Sequence, residues 1–429
     1  MRRIVSVVLG LCIFAVAGIV VTLLREMYGG GEIKIEALAV AVTPEQIARG
    51  EYLARIGNCA GCHTARGGEP YAGGKAIATP FGSIYASNLT PDKATGIGTW
   101  SPSAFYRAMH EGRSSDGRLL YPAFPYPNMT RISREDSDAL FAYLINGVKP
   151  VVQASTPTTL SFPFNSQIAL AAWRILYFKP DPYRADAVQS TQWNRGAYLV
   201  QGLAHCGACH STRNALGAPL AGHAYDGAMM PLNDWYAPSL TAKNEASVAD
   251  WSLVEIAQWL RDGTSAKGSA LGPMAEVIYQ STQFASSDDL LAMSAYLKSL
   301  PTIVPSRTAV ASSGMSDDSA GREIYREHCK SCHGEKGEGK PDAFPALAGN
   351  RTVTMNNATN LVRVILSGGF APATSGNPRP HGMPPYYHVL SDTDIAHVGT
   401  YVRSAWGNNA PALTELDMVK YRNAVKTAQ

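Results

Sequence analysis

Cysteine and histidine carry the most specific chemistry in this chain. The stretch Ala204-His205-Cys206-Gly207-Ala208-Cys209-His210 sets two thiols three positions apart, with an imidazole directly after the second. The same Cys-x-x-Cys-His string recurs from Cys59 through Cys62 to His63, and from Cys329 through Cys332 to His333, so six of the seven cysteines are used this way. Such a trio suits a structural zinc ion, a redox dithiol or a covalently held cofactor. Zinc would need two halves closing on one ion, whereas each string here is followed by a long stretch of its own. A redox dithiol would sit in a βαβ pattern and leave the histidine without a role. The remaining reading is c-type haem attachment, in which the thiols add to the haem vinyl groups and the histidine ligates the iron. Three strings predict three covalently bound haem c groups, with His63, His210 and His333 as proximal ligands.

A haem that only carries electrons does best with both axial positions filled, and methionine is the usual distal partner at high potential. "LGPMAEVIYQST" offers Met274 and "HGMPPYYHVLSD" offers Met383, each in what reads as a Gly/Pro loop. In the first repeat "LLYPAFPYPNMTRIS" has Phe124 where a methionine is expected, and Met129 shortly after is the chosen ligand. Met109 competes, but its offset from Trp100 matches that of Leu260 from Trp251, which makes it a helix-core position. His110 aligns with Arg261 and reads as a surface residue.

The elements that must position these groups are helical and repeated. "ARGEYLARIGNCAGCH" and "NRGAYLVQGLAHCGACH" share Arg-Gly-x-Tyr-Leu, and Leu89 to Trp100 and Leu240 to Trp251 have equal separations. Trp100-Ser101 and Trp251-Ser252 begin N-capped helices that stop at Gly112 and Gly263. Ser133, Ser286 and Ser391 each open an acidic-first-turn helix containing Tyr143, Tyr296 or Tyr401. Strand alternation is weak. The expected fold is all-α: three tandem cytochrome c domains behind one N-terminal transmembrane helix. The expected boundaries are 1–42 for anchor and linker, 43–155 for the first domain, 156–190 for a linker segment and 191–303 for the second domain. A linker at 304–316, the third domain at 317–405 and a tail at 406–429 complete the chain.

From Ile4 to Leu24 the chain has no charge, and at 1.5 Å per residue this is roughly 30 Å of helix, enough to span a bilayer. Ala15-Val16-Ala17 offers a signal-peptidase site, but the apolar run continues past it, which favours an uncleaved anchor. Arg2 and Arg3 would keep the N-terminus cytoplasmic and send the rest into the periplasm, where haem c is attached. Cys12, after the bulky Leu11, reads as an apolar anchor residue. The net charge of +3 and the lack of basic runs leave no footprint for nucleic acid. "GEKGEGKP" misses a phosphate loop because Pro341 stands where Ser or Thr would hold magnesium. "FPFNSQIALAAWRILYF" reads as an aromatic packing segment, with a docking surface as the alternative.

With "GRLLYPAFPYPN", "FPFN" followed by "AAWRILYF", "NRGAYLV", "GPMAEVI" and "YLKSLP", the chain resembles the triheme cytochrome c subunit of bacterial membrane-bound dehydrogenases. These are the alcohol, aldehyde, gluconate, sorbitol and fructose dehydrogenases of acetic acid bacteria, and the resemblance runs from about Thr43 to Asn408. It implies an inner-membrane subunit with no substrate-oxidising site of its own. A catalytic partner with a molybdenum, quinone or flavin cofactor would oxidise the substrate, and electrons would pass to membrane ubiquinone. The loop variant and "WRILYF" look closest to cytochromes paired with molybdenum-containing aldehyde-type enzymes. Phe124 departs from relatives that carry methionine there. A terminal-oxidase cytochrome arm, or a haem peroxidase with an open first haem, is the competing expectation.

Overall fold

The computed structural model describes residues 2–29, 42–230, 234–265, 267–303, 319–341 and 343–419. Gly30 and Gly31 of the expected linker, the whole 304–316 linker and residues 420–429 of the tail lie outside the described residues. The chain divides into two compact units: residues 1–54, 62–184 and 201–205 form one, and 55–61, 185–200 and 206–429 the other.

Helices dominate both. The chain begins with α1 (Arg2–Tyr28), α2 (Pro44–Ile56), α3 (Cys59–His63), α4 (Pro102–Glu111), α5 (Tyr126–Met129), α6 (Arg134–Asn146) and α7 (Gln167–Tyr177). Next come α8 (Thr191–Tyr198), a π-helical turn (Leu199–Leu203), α9 (Gly207–His210), α10 (Leu253–Asp262), α11 (Pro273–Gln280) and α12 (Ser287–Lys298). The last are α13 (Ser319–His328), α14 (Lys330–His333), α15 (Arg351–Thr354), α16 (Thr359–Ser367) and α17 (Asp392–Ser404). Among the described residues, strands occur as four antiparallel hairpins. They are β1 (Ala76–Thr79) with β2 (Gly82–Tyr85), β3 (Ala228–Met229) with β4 (Tyr236–Ala237), β5 (Thr264–Ser265) with β6 (Gly268–Ser269), and β7 (Gly369–Phe370) with β8 (Gly382–Met383). The expected all-α class is therefore a helical fold with small hairpins. Strands of two residues, and of four in β1 and β2, are too short to show a clear period, so alternation did not reveal them.

The expected helix boundaries follow from capping chemistry. Ser101, Ser133, Ser252, Ser286 and Ser391 each accept a backbone N–H of the first turn, and Gly112 and Gly263 close α4 and α10 in the left-handed region.

The shared Arg-Gly pair has a packing reason. A Cβ on Gly50 would run into the Ala139 carbonyl of α6, one on Gly196 into Ala292 of α12, and one on Gly321 into His397 of α17. Each contacted residue lies equally far past its N-cap serine. Glycine inside a helix costs about 0.5–1 kcal/mol relative to alanine, which the close crossing offsets. Beside it, Arg49 Nε donates to Asp136 Oδ1 at 2.9 Å, and Arg195 pairs with Asp289 through two 2.8 Å hydrogen bonds. The third crossing has Ala320 instead, and Asp394 turns back to cap Ser391.

From Gly196 to Cys206 there is one residue more than from Gly50 to Cys59, and the π turn absorbs it. Asn58 and His205, each just before a first cysteine, take left-handed backbone (φ 51° and 39°), whereas His328 ends α13.

α1 has mean hydropathy 3.0 over the most apolar 18-residue stretch within Arg3–Tyr28, and its apolar side chains are exposed, Phe14 at 80%. It is long and apolar enough to cross a membrane. Its C-terminal end packs Leu23 and Met27 against a small core of Leu119, Leu170 and Ala171.

Candidate haem-binding sites

Each Cys-x-x-Cys-His string forms a single short helical turn, α3, α9 or α14, which collects two thiols and one imidazole locally. The histidines share one further feature. His63 Nδ1 lies 2.7 Å from the Ser87 carbonyl oxygen, His210 Nδ1 2.7 Å from that of Pro238, and His333 Nδ1 2.9 Å from that of Pro345. A carbonyl oxygen only accepts, so Nδ1 carries the proton and Nε2 keeps its lone pair for a ligand. Burial holds all three imidazoles below their ordinary pKa, opposed by those same hydrogen bonds, which favours the neutral, ligating form.

The three accepting carbonyls occupy equivalent places: Ser87-Asn88-Leu89, Pro238-Ser239-Leu240 and Pro345-Ala346-Leu347. Side chains brace each segment. Buried Asn88 donates through Nδ2 to Val151 O at 2.8 Å and accepts the Thr90 N–H at 2.9 Å. Glu245 accepts the Ser239 N–H at 2.8 Å and the Tyr236 hydroxyl at 2.9 Å. Asn350 Nδ2 donates to Ala346 O at 2.9 Å, and Asn408 Nδ2 to Leu347 O at 3.0 Å. The spacing of Leu89 and Leu240 was legible in the sequence; Leu347, and the carbonyl two residues ahead of each leucine, were not.

The first thiols of the second and third strings differ from the activated thiol of a redox dithiol. Burial, then the neighbouring Cys209, pushes Cys206 up to about 12, and burial, then Cys332, pushes Cys329 up to about 11. Oxidoreductase thiols are instead lowered.

The distal candidates fall in three different settings. Met383 is in β8, half-buried, and joins Cys329, Leu347 and Tyr386 around the core of Val362, Ile395 and Val398. Tyr386 donates its hydroxyl to the His328 carbonyl at 2.7 Å, tying the Met383 loop to the start of the attachment string. Met274 lies in the first turn of α11, not in a loop as expected: Gly272 and Pro273 set the helix start that its neighbours continue. Met129 ends α5 and is 3% exposed, and the adjoining Tyr126 is fully buried, its hydroxyl pushed up to about 12 by burial. Met109 is buried in α4, as a helix-core residue should be.

His110 corrects the sequence reading. It is 5% exposed rather than on the surface; its Nε2 donates to Ile132 O at 2.8 Å and its ring stacks on Tyr106. Alignment with Arg261 transferred the helix position but not the neighbours.

The donor set suits covalently attached haem: two thiols on one turn, followed by an imidazole whose Nδ1 is fixed and whose Nε2 is left for iron. The Cytochrome c family profile matches residues 47–147 and 319–406. Over 412 residues the chain is 39% identical to the alcohol dehydrogenase (quinone), cytochrome c subunit, of Gluconacetobacter polyoxogenes, covering 90% of this chain and 86% of that one. It is 36% identical over 394 residues to the gluconate 2-dehydrogenase cytochrome c subunit of Pantoea cypripedii, with 88% and 89% covered. The fructose dehydrogenase cytochrome subunit of Gluconobacter japonicus is 37% identical over 402 residues, with 87% and 82% covered.

Proposed function

The chain belongs to the cytochrome c subunits of membrane-bound dehydrogenase complexes, and from that premise we propose that it is a triheme electron-transfer subunit. The carrying observation is the threefold Nδ1–H to carbonyl hydrogen bond beside each pair of thiols. Cys59 and Cys62, Cys206 and Cys209, and Cys329 and Cys332 would hold one haem c each. His63, His210 and His333 would supply Nε2 to the iron, and Met129, Met274 and Met383 would supply a thioether. Haem c, when bound, supplies reversible one-electron redox chemistry. The protein's part would be to fix the imidazole tautomer, exclude water and set the potential through the thioether.

In this reading the three haem domains span 43–155, 191–303 and 317–405, anchored by α1 in the inner membrane with the domains on the periplasmic side. A separate catalytic subunit oxidises an alcohol or aldehyde with a molybdenum, quinone or flavin cofactor, and electrons reach membrane ubiquinone through this chain. The first test is a pyridine haemochrome count on the purified chain after extraction with acidified organic solvent. Three retained haems per chain are expected, and one or two would overturn the assignment. Copurification of a dehydrogenase chain and substrate-driven ubiquinone reduction by the complex test the rest.

A further inference from the structure

We propose that α7 is an interfacial membrane helix, lying beside α1 at the depth of the lipid headgroups and binding the bilayer through its outer face. The proposal rests on the reading of α1 as a membrane span. α7 carries no acidic residue, and its one charge, Arg174, faces inward: Nε donates to Glu26 Oε1 at 2.7 Å and Nη1 to the Glu111 carbonyl. Leu170, Ala171 and Arg174 form the buried stripe. The opposite face exposes Ile168 at 58% and Leu176 at 68%, with Ile175 beside them and Phe162 just upstream. A soluble surface helix would place charged or polar groups there. Trp173 and Tyr177, with ring centroids 5.7 Å apart, are the amphipathic aromatics that settle at a membrane–water boundary.

What covers this face follows from where α7 is fixed. Leu170 and Ala171 pack against Leu23 and Met27 of α1, at the C-terminal end of the uncharged run. Arg113 bonds the Glu26 and Met27 carbonyls, and Arg113 and Arg174 both reach the Glu26 carboxylate, so a partly buried ionic cluster joins α1 to α7. The apolar face of α7 thus continues the exposed apolar surface of α1 where the span meets water. Lipid is the occupant that this continuity selects.

The test places single cysteines in the full haem-loaded chain, in a Cys12→Ala background, reconstituted without other subunits in nanodiscs of phosphatidylethanolamine and phosphatidylglycerol. Ile168→Cys and Leu176→Cys are compared with Val188→Cys, exposed outside α7, and Phe14→Cys, inside α1. A charged, water-soluble maleimide is expected to label positions 168 and 176 on the order of tenfold more slowly than 188, and a membrane-partitioning maleimide to reverse that ranking. Labelling at 168 and 176 as fast as at 188, with 14 protected, overturns the α7 proposal alone. Fast labelling at 14 overturns the reading of α1, and α7 with it. Protection at 168 and 176 that arises only on adding a dehydrogenase chain makes the face a protein-docking surface and also overturns the lipid proposal.

Discussion

The two sides of the candidate haem sites are built by different rules. On the histidine side one solution is used three times: a short turn, an imidazole pinned through Nδ1, and a carbonyl two residues ahead of a leucine. On the methionine side no two settings agree, since Met383 is in a strand, Met274 in a helix and Met129 in a short helix within the core. The histidine side is assembled from residues adjacent in sequence plus one hydrogen bond to backbone, so it tolerates little variation. The distal side is reached by longer segments whose conformation is free to differ, and this is where the potentials of the three proposed haems can be set apart.

The largest predicted effect comes from breaking the frame that carries the histidine side. Gly196→Val forces side-chain atoms into the Ala292 carbonyl, and a loss of about 3 kcal/mol or more is expected in urea unfolding, as for severe overpacking. Asn88→Ala removes the brace behind the Ser87 carbonyl and should cost about 1–3 kcal/mol, with spectral change confined to the first haem.

On the distal side the effect moves from stability to spectroscopy. Met383→Leu and Met129→Leu conserve volume, so each should cost less than about 1.5 kcal/mol, yet each should lower one haem's potential in a redox titration. Met109→Leu should leave all three potentials unchanged. Loss of the thioether should also leave the first haem high-spin, so if Met109→Leu yields a high-spin spectrum and Met129→Leu does not, the first distal ligand is misassigned.

The smallest effect separates His110 from the proposed proximal histidines. Burial keeps its folded-state pKa below the ordinary 6.5, so below that value the unfolded chain binds the extra proton first. Its contribution to stability is therefore full above pH 6.5 and declines as pH falls toward the folded-state value. His110→Gln should flatten that part of the urea-midpoint profile, and an unchanged slope would show that His110 does not titrate there.

The sequence made plain whatever rests on neighbours along the chain: the attachment strings, the serine caps, the glycine stops and the apolar span. It also displayed the Arg-Gly pairs without their purpose, because the carbonyls of Ala139 and Ala292 that require glycine lie far along the chain. His110 was misread for the same reason, whereas Met274 was placed in a loop because Gly272 and Pro273, which open α11, read as loop residues. A position in a repeat predicts the helix phase of a residue, while burial and hydrogen bonding depend on the segment packed against it, here Ile132 for His110. The face of α7 was visible as composition, but only the buried contacts of Leu170 and Arg174 show which side is turned outward.

The π turn at Leu199–Leu203 works as a phase corrector. An α-helix advances about 100° per residue, so one added residue would swing everything beyond it out of alignment with the partner helix. Lodging that residue in one wide turn confines the error. Gly196 still meets Ala292, and His210 still finds its carbonyl at the same 2.7 Å as His63. The second string is thereby insulated from a change in spacer length that an uninterrupted helix would pass on to it as rotation.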